Sequence, residues 1–260
     1  MSNGLNISLK SYDSIFQNDE QRNSEEIKPV PISELKPFTE QPFKVKLDED
    51  MDALVESIKQ CGVLTPVIAR PHKDGGYEIL SGHRRVKACE LAGITDIPVV
   101  VKNLDDDTAT ILLVDSNLQR EHILPSEKAF AYQMKLEAMK RQGARVDLTS
   151  AQFGRKLGVE SREVLAEQVG ESRNQISRYI RLTNLIDPIL NMVDNNQIAM
   201  NAAVEISYLG SKEQAAVMQS IEKEETSPSI AQARKMRKFH QEGNLSNAVI
   251  DSIMMEQKPE

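Results

Sequence analysis

Tryptophan is absent from this chain, and Phe and Tyr bring the aromatic fraction to only 4%. A core with so few rings must be packed by Leu, Ile, Val, Ala and Met, the style of helices. Cysteine is scarce too: Cys61 and Cys89 fall in apolar, helix-like stretches without metal-ligand spacing. They are expected to be reduced core residues, which argues against a disulfide framework or a zinc site. His72, His83, His122 and His240 are scattered, with no ligand spacing among them. No apolar run approaches the ~18 residues of a membrane span, and Met1 to Lys10 lack the basic-then-apolar order of a signal peptide. The expectation is a cytoplasmic protein with no membrane partner. Positive charge is also in deficit, with 32 Lys and Arg against 39 Asp and Glu. That balance predicts weak non-specific affinity for nucleic acid. It leaves room for a local basic face, because arginines cluster at Arg84/Arg85, Arg173/Arg178/Arg181 and Arg234/Arg237.

What is present divides in two. Residues 1–28 are polar, carry no sustained period and read as a flexible tail. Val30 to Leu35 is extended, interrupted by Pro31. Asp48 opens a helix that aligns Met51, Leu54, Val55 and Ile58 on one face and ends at Gly62. Pro66 to Arg70 and Tyr77 to Leu80 read as strands around the turn Asp74-Gly75-Gly76. A helix after Gly82 turns Val86, Cys89 and Ala92 inward and stops at Gly93; a buried strand at Ile97 to Val101 and a helix at Thr108 to Leu118 complete a small α/β domain over 29–121. The run Asp105 to Asp107 reads as solvated loop and helix-start charge.

Everything after Leu124 reads helical. Pro125 suits the first turn of a long helix ending near Gly143. Thr149 and Gln152 form a capping pair that opens another helix. Helices at Arg162 to Val169 and Arg173 to Leu182 follow, then more to about Gly243, then a short one at Leu245 to Met255. The helical domain spans 122–243, with a short helix and tail over 244–260. The fold class is α+β.

Ser161 through Leu182 has helix-turn-helix spacing. Ala166 is small where two helices would cross, Gly170 sits where the chain needs positive φ, and Ile176 would pack the second helix back. Ser172 and Gln175 resemble a capping box. The outward positions Arg173, Asn174, Gln175, Ser177 and Arg178 are residue types that reach base edges and phosphates. An ordinary helical hairpin would share the glycine turn; agreement of spacing, cap and polar face favours the DNA-reading version. Arg181 reads equally as a solvated charge at the helix end.

A strand ending at Ser81-Gly82 that runs at once into His83-Arg84-Arg85 has the geometry of an anion site. Unpaired amides and the positive end of the helix dipole converge there, beside guanidinium groups. Taken alone, the same sequence also describes a strand–helix junction whose arginines are solvated or salt-bridged. Thr65-Pro66 and Arg70 on the preceding strand, and Asn117, Gln119 and Arg120 at a helix end, add to the first reading. Ser81 beside His83 is not part of a nucleophile elbow.

Together, Gly62 with Thr65-Pro66-Val67-Ile68-Ala69-Arg70, then Tyr77 through Ala88, then Asn117-Leu118-Gln119-Arg120, resemble the ParB family of DNA-partition proteins, over roughly residues 30–210. The resemblance implies a ParB/sulfiredoxin-like N-terminal domain that binds CTP with Mg²⁺. It implies a helix-turn-helix that recognises a palindromic double-stranded DNA site, a homodimer at least on DNA, and closure as a sliding clamp. By matching motif, Thr65, Pro66 and Arg70 would lie along the nucleotide, and Gly82, His83, Arg84 and Arg85 would hold the triphosphate. Asn117 would help hold the metal, with Gln119 and Arg120 completing the phosphate side.

Two residues depart from the family pattern: His83 and Ser116 each stand where Glu is usual. His83 either donates to a phosphate oxygen or is a surface residue. Loss of the second carboxylate predicts binding over turnover, with at most weak CTP hydrolysis and no catalytic residue assigned. Few residues follow Gly243, which sets aside the family's usual C-terminal dimerisation domain. The first 28 residues carry Lys10, Arg22 and Lys28 against five acids, unlike the basic segment that stimulates a ParA-type ATPase. Two other readings stand beside partition: a helix-turn-helix regulator of replication or transcription with a degenerate nucleotide site, and a sulfiredoxin-fold phosphoryl-transfer enzyme or nuclease. The missing cysteine at the Gly82 turn argues against a sulfiredoxin-like reductase.

Overall fold

A computed structural model describes residues 27–39, 41–120, 122–146 and 153–256. Most of the expected tail, and the Thr149/Gln152 capping pair, lie outside the described residues. Packing divides the chain into two units, Met1–Thr39 with Val45–Leu104, and Glu40–Lys44 with Asp105–Glu260. Among the described residues no helix is long and apolar enough to cross a membrane.

Among the described residues the first unit is a five-stranded mixed sheet with two helices. Its strands are β1 (Ile27–Pro31), β2 (Leu35–Pro37), β3 (Val67–Pro71), β4 (Tyr77–Ser81) and β5 (Asp96–Val101), in spatial order β1-β5-β3-β4-β2. The expected single stretch at Val30 to Leu35 is two strands. A 3-10 turn at Ile32–Glu34 separates them and sends them to opposite edges of the sheet. Helices α1 (Glu49–Cys61) and α2 (His83–Ala92) bury Met51, Val55, Ile58, Val86, Ala88 and Cys89 against Val67, Ala69, Ile97 and Val99. The Asp48 carboxylate caps α1, accepting from the Met51 amide at 3.1 Å. Cys89 is buried as expected, but Cys61 is exposed, because it closes the last turn of α1 outside the apolar stripe.

Strand alternation places Arg70 and Glu78 directly opposite each other on β3 and β4. The Arg70 guanidinium meets Glu78 at 2.7 Å through Nε and 2.6 Å through Nη2. Glu78 also accepts from the Thr39 amide at 3.2 Å. This nearly buried pair fixes the hairpin from the face opposite the two helices.

The second unit is helical: α3 (Asp106–Leu118), α4 (Pro125–Val146), α5 (Phe153–Val169), α6 (Arg173–Leu182), α7 (Asp187–Asp194), α8 (Met200–Ile206), α9 (Ser211–Glu224), α10 (Ile230–Gln241) and α11 (Asn247–Met254). The stretch read as a separate helix at Arg162 to Val169 is the second half of α5. Helix α3 is laced to α4 by Asp107–Arg141 at 2.6 Å, by Gln142 donating to Thr108 at 3.1 Å, and by a Lys135–Asp115 ion pair. That lacing is why packing groups α3 with the helices, a different division from the motif-based one at 121/122. The acidic run is not wholly solvated: Asp105 caps α3 and Asp106 is exposed, but Asp107 is buried against Arg141. Helices α7 to α11 share one apolar cluster, and Met254 packs in it while Met255 is exposed.

Candidate functional sites

The Gly82 turn follows from its sequence. Strand β4 ends at Ser81, and α2 begins at His83 with Gly82 as its first cap, at φ +103°. A Cβ at Gly82 would stand 3.0 Å from Val67 Cγ2 and 3.2 Å from Arg85 Cζ. Glycine is therefore required twice, for the left-handed backbone and for the close approach. No side chain caps α2, and its first turn carries no acid. Its amides and dipole are left for an anion.

Arg85 reaches back from this turn to the preceding strand, donating through Nη1 to the carbonyls of Thr65 and of Pro66, the latter at 2.6 Å. Thr65, Pro66, Gly82 and Arg85 are thereby brought together. Burial lowers the Arg85 pKa and, more weakly, the neighbouring Cys89 raises it; the guanidinium remains a cation near neutrality. Arg84 pairs with Asp48 at 3.2 Å, both partly exposed, a contact of the kind worth about 0–1 kcal/mol and readily exchanged. Arg70 is elsewhere: its head is held by Glu78 and lies 3.5 Å from the Leu104 carbonyl. His83 is not a surface residue, being 8% exposed in the first turn of α2.

Asn117, Gln119 and Arg120 belong to the second unit. Asn117 is buried and its amide donates to the Leu113 carbonyl at 2.8 Å, which leaves the carboxamide oxygen as its ligand atom. Ser116 donates to the same carbonyl at 2.9 Å. Gln119 ends α3 and is exposed, and Arg120 lies over the Phe43 ring at 5.4 Å. Among the described residues no cluster of three or more His, Cys, Asp or Glu is placed to hold a metal. A cation here would depend on phosphate oxygens for most of its ligands.

The helix-turn-helix has its expected parts. Gly170 takes φ +67° between α5 and α6, and the Ser172 hydroxyl accepts from the Gln175 amide at 3.1 Å. The capping box is half formed, because the Gln175 side chain lies against Met200 Sδ at 3.7 Å instead of returning to Ser172. Ile176 and Leu165 are fully buried with Tyr132 and Leu136 of α4, and half-buried Ala166 packs on the same cluster. Opposite this seam, Arg173, Asn174, Ser177 and Arg178 are exposed and Gln175 is half-buried. Arg173 meets Glu163 at 2.8 Å on the surface.

A polar support that the sequence reading missed lies beneath the turn. Glu171 is held by Lys128 of α4 at 2.8 Å, and Lys128 lies 5.2 Å over Tyr179. Burial is the largest influence and works against the Lys128 cation, but the hydrogen bond and charge of Glu171, together with Tyr179, outweigh it and raise the pKa. Burial, with Glu171 beside it, pushes the Tyr132 hydroxyl well above its ordinary range. Only the acid at the turn and the Lys–Tyr spacing on α4 signal this network in sequence. Arg181 is likewise not a solvated helix end: it donates to Ser207 through Nε at 3.1 Å and through Nη2 at 2.8 Å.

The family model for the ParB N-terminal domain matches residues 16–118, and that for the ParB HTH domain matches residues 151–242. A probable chromosome-partitioning protein ParB of Neisseria meningitidis is 32% identical over 196 residues, covering 75% of this chain and 62% of that protein. The chromosome-partitioning protein Spo0J of Thermus thermophilus is 33% identical over 174 residues, covering 67% of this chain and 57% of that protein. The chain thus spans about three fifths of the length of these relatives. Among solved structures, C-terminally truncated ParB from Caulobacter crescentus, complexed to the centromeric parS site, is 23% identical. It has a TM-score of 0.46 and covers 87% of this chain and 98% of that one.

Proposed function

The chain belongs to the ParB family, and from that premise we propose that it is a partition protein that binds a specific DNA site and uses CTP to close on it. The α6 face reads the DNA: Arg178, Asn174 and Arg173 are aimed outward while Ile176 anchors the helix from below. The CTP triphosphate sits at the Gly82 turn, over the uncapped start of α2. One observation carries the nucleotide reading. Arg85 ties the Thr65-Pro66 segment to a glycine whose left-handed φ and close neighbours disfavour any side chain, which preorganises backbone and charge at the uncapped start of α2.

Arg84, tethered by a partly exposed ion pair, is the side chain placed to exchange Asp48 for a phosphate. Thr65 and Pro66 would line the nucleotide and His83 would stand beneath the phosphates; Asn117, Gln119 and Arg120 are the further nucleotide residues that the family resemblance implies. Magnesium would neutralise the phosphate charge, with the Asn117 carboxamide oxygen as the protein's contribution. Arg70 serves this site as the brace of the hairpin, through Glu78. With Ser116 in place of a carboxylate, the nucleotide acts as a binding effector, and hydrolysis is at most weak. The working form is a homodimer on a palindromic site in the cytoplasm, on nucleoid or plasmid DNA. A ParA-type ATPase is its expected partner.

The test uses the whole chain and a duplex selected by it from a random-sequence pool. CTP with Mg²⁺ should make the protein resist a salt wash on closed circular DNA bearing that site, and not on a short open linear duplex. Equal retention on both would remove the clamp.

A further inference from the structure

We infer that a cluster built from Arg181, Tyr208, Arg234 and Arg237 is a second DNA-contact surface, one that grips the phosphate backbone beside the base-reading face of α6. The inference rests on the DNA reading above and extends it to residues outside the helix-turn-helix.

The cluster begins on the reading face itself. Asn174, Ser177, Arg178 and Arg181 recur at i, i+3, i+4 and i+7, so they share one stripe of α6. Arg181 is the last of that stripe, and its head is fixed to Ser207. That fixation carries the stripe onto the end of α8 and the loop after it. There the Arg181 guanidinium lies over the Tyr208 ring at 3.9 Å, and Arg237 of α10 lies over the same ring at 3.4 Å. Arg237 and Arg234 both pair with Glu205, at 2.8 and 3.4 Å.

Three guanidinium groups therefore share one carboxylate and one ring. The ring face stabilises a neighbouring cation but neutralises none of its charge. Arg234 and Tyr208 remain open to solvent, with 70% of the Arg234 side chain exposed. In a chain of net charge −7 such a concentration of fixed arginines is local. Guanidinium groups held over an aromatic ring present their remaining N–H groups to an anion with little ordering left to do. The class of anion follows from position: the cluster continues the face that meets bases, and what lies beside bases in a duplex is phosphate.

The test is a salt titration of DNA affinity for the full chain and its variants, on the selected duplex and on a scrambled duplex of equal length. Arg237→Gln and Arg234→Gln should each weaken both duplexes by a similar factor, about five- to twentyfold at low salt. Each should also reduce the slope of log affinity against log salt by about one. Arg237→Lys, which keeps the charge, should restore most of the slope. Arg178→Ala should instead change the ranking of the two duplexes. Arg234 is exposed, so Arg234→Gln reports even where Arg237→Gln disturbs packing. Wild-type slopes in both glutamine variants, or losses confined to the selected duplex, would overturn the inference while leaving the DNA reading intact. Failure of the wild-type chain to select any duplex would overturn the DNA reading itself.

Discussion

The Gly82 turn and the α6 reading face both set arginines at the start of a helix, yet the two regions use them in opposite ways. At the turn Arg85 is committed to two backbone carbonyls, while Arg84 meets Asp48 in a partly exposed pair. On α6 they point out, and Arg173 meets Glu163 on the surface. One site is fixed in advance by backbone and side chain together. The other is a helix fixed from beneath by Ile176, with its outer side chains left to adapt to a long, regular partner. On the proposed reading, rigidity lies where the nucleotide would fit and freedom where the contacts to DNA would be many.

Substitutions can break this contrast, and the largest effect belongs to the support of the reading helix. Ile176→Asp puts a charge in a fully closed seam and should cost more than about 3 kcal/mol in urea unfolding of the helical unit, with loss of specific DNA binding. An unfolding curve unchanged from wild type would mean that the seam does not hold α6. Next comes Gly82→Val, which meets both the left-handed φ and Val67; about 1–3 kcal/mol and loss of CTP binding are expected. The two neighbouring arginines should then separate. Arg85→Ala removes the donor that the exposed Thr65 and part-buried Pro66 carbonyls share and should cost about 0.5–1.5 kcal/mol. Arg84→Ala should change stability by less than about 1 kcal/mol while removing the response to nucleotide.

Arg178→Ala should cost about 1–3 kcal/mol of DNA affinity if it reads a base, seen as relaxed preference at one position of the selected site. A uniform loss across sequences would assign it to phosphate. The smallest effect is chemical. Burial raises the Cys89 thiol and lowers its thiolate fraction, more than Arg85 offsets, so a thiol reagent should label Cys61 quickly and leave Cys89 protected until unfolding. Two fast thiols in the native protein would contradict the packing of α2.

What was legible in the sequence followed from local rules. The Asp48 cap, the Gly82 and Gly170 turns, the Ile176 anchor and the hairpin around Asp74-Gly75-Gly76 each depend on neighbours a few residues away. What was missed depends on distant partners. The commitment of Arg70 to Glu78 was within reach, since a hairpin register pairs those two positions. The lacing of Asp107 to Arg141, the hold of Lys128 on Glu171 and the meeting of Arg181 with Tyr208 join separate helices, and no spacing along one helix announces them. The split of Val30 to Leu35 was hidden because a single 3-10 turn redirects the chain across the whole sheet. Burial of His83 at the first position of α2 has no signal in the local sequence, where two half-buried arginines follow it.

The central claim is a triphosphate cradle coupled to a DNA reader in one chain. It is tested most directly by binding of labelled CTP with Mg²⁺, with ATP, GTP and UTP as competitors, in the presence and absence of the selected duplex. CTP alone should be retained, more strongly with the duplex, and lost in Arg84→Ala while that variant still finds its DNA. No retention of CTP by a chain bound to its verified site would contradict the coupling and leave a DNA-binding regulator.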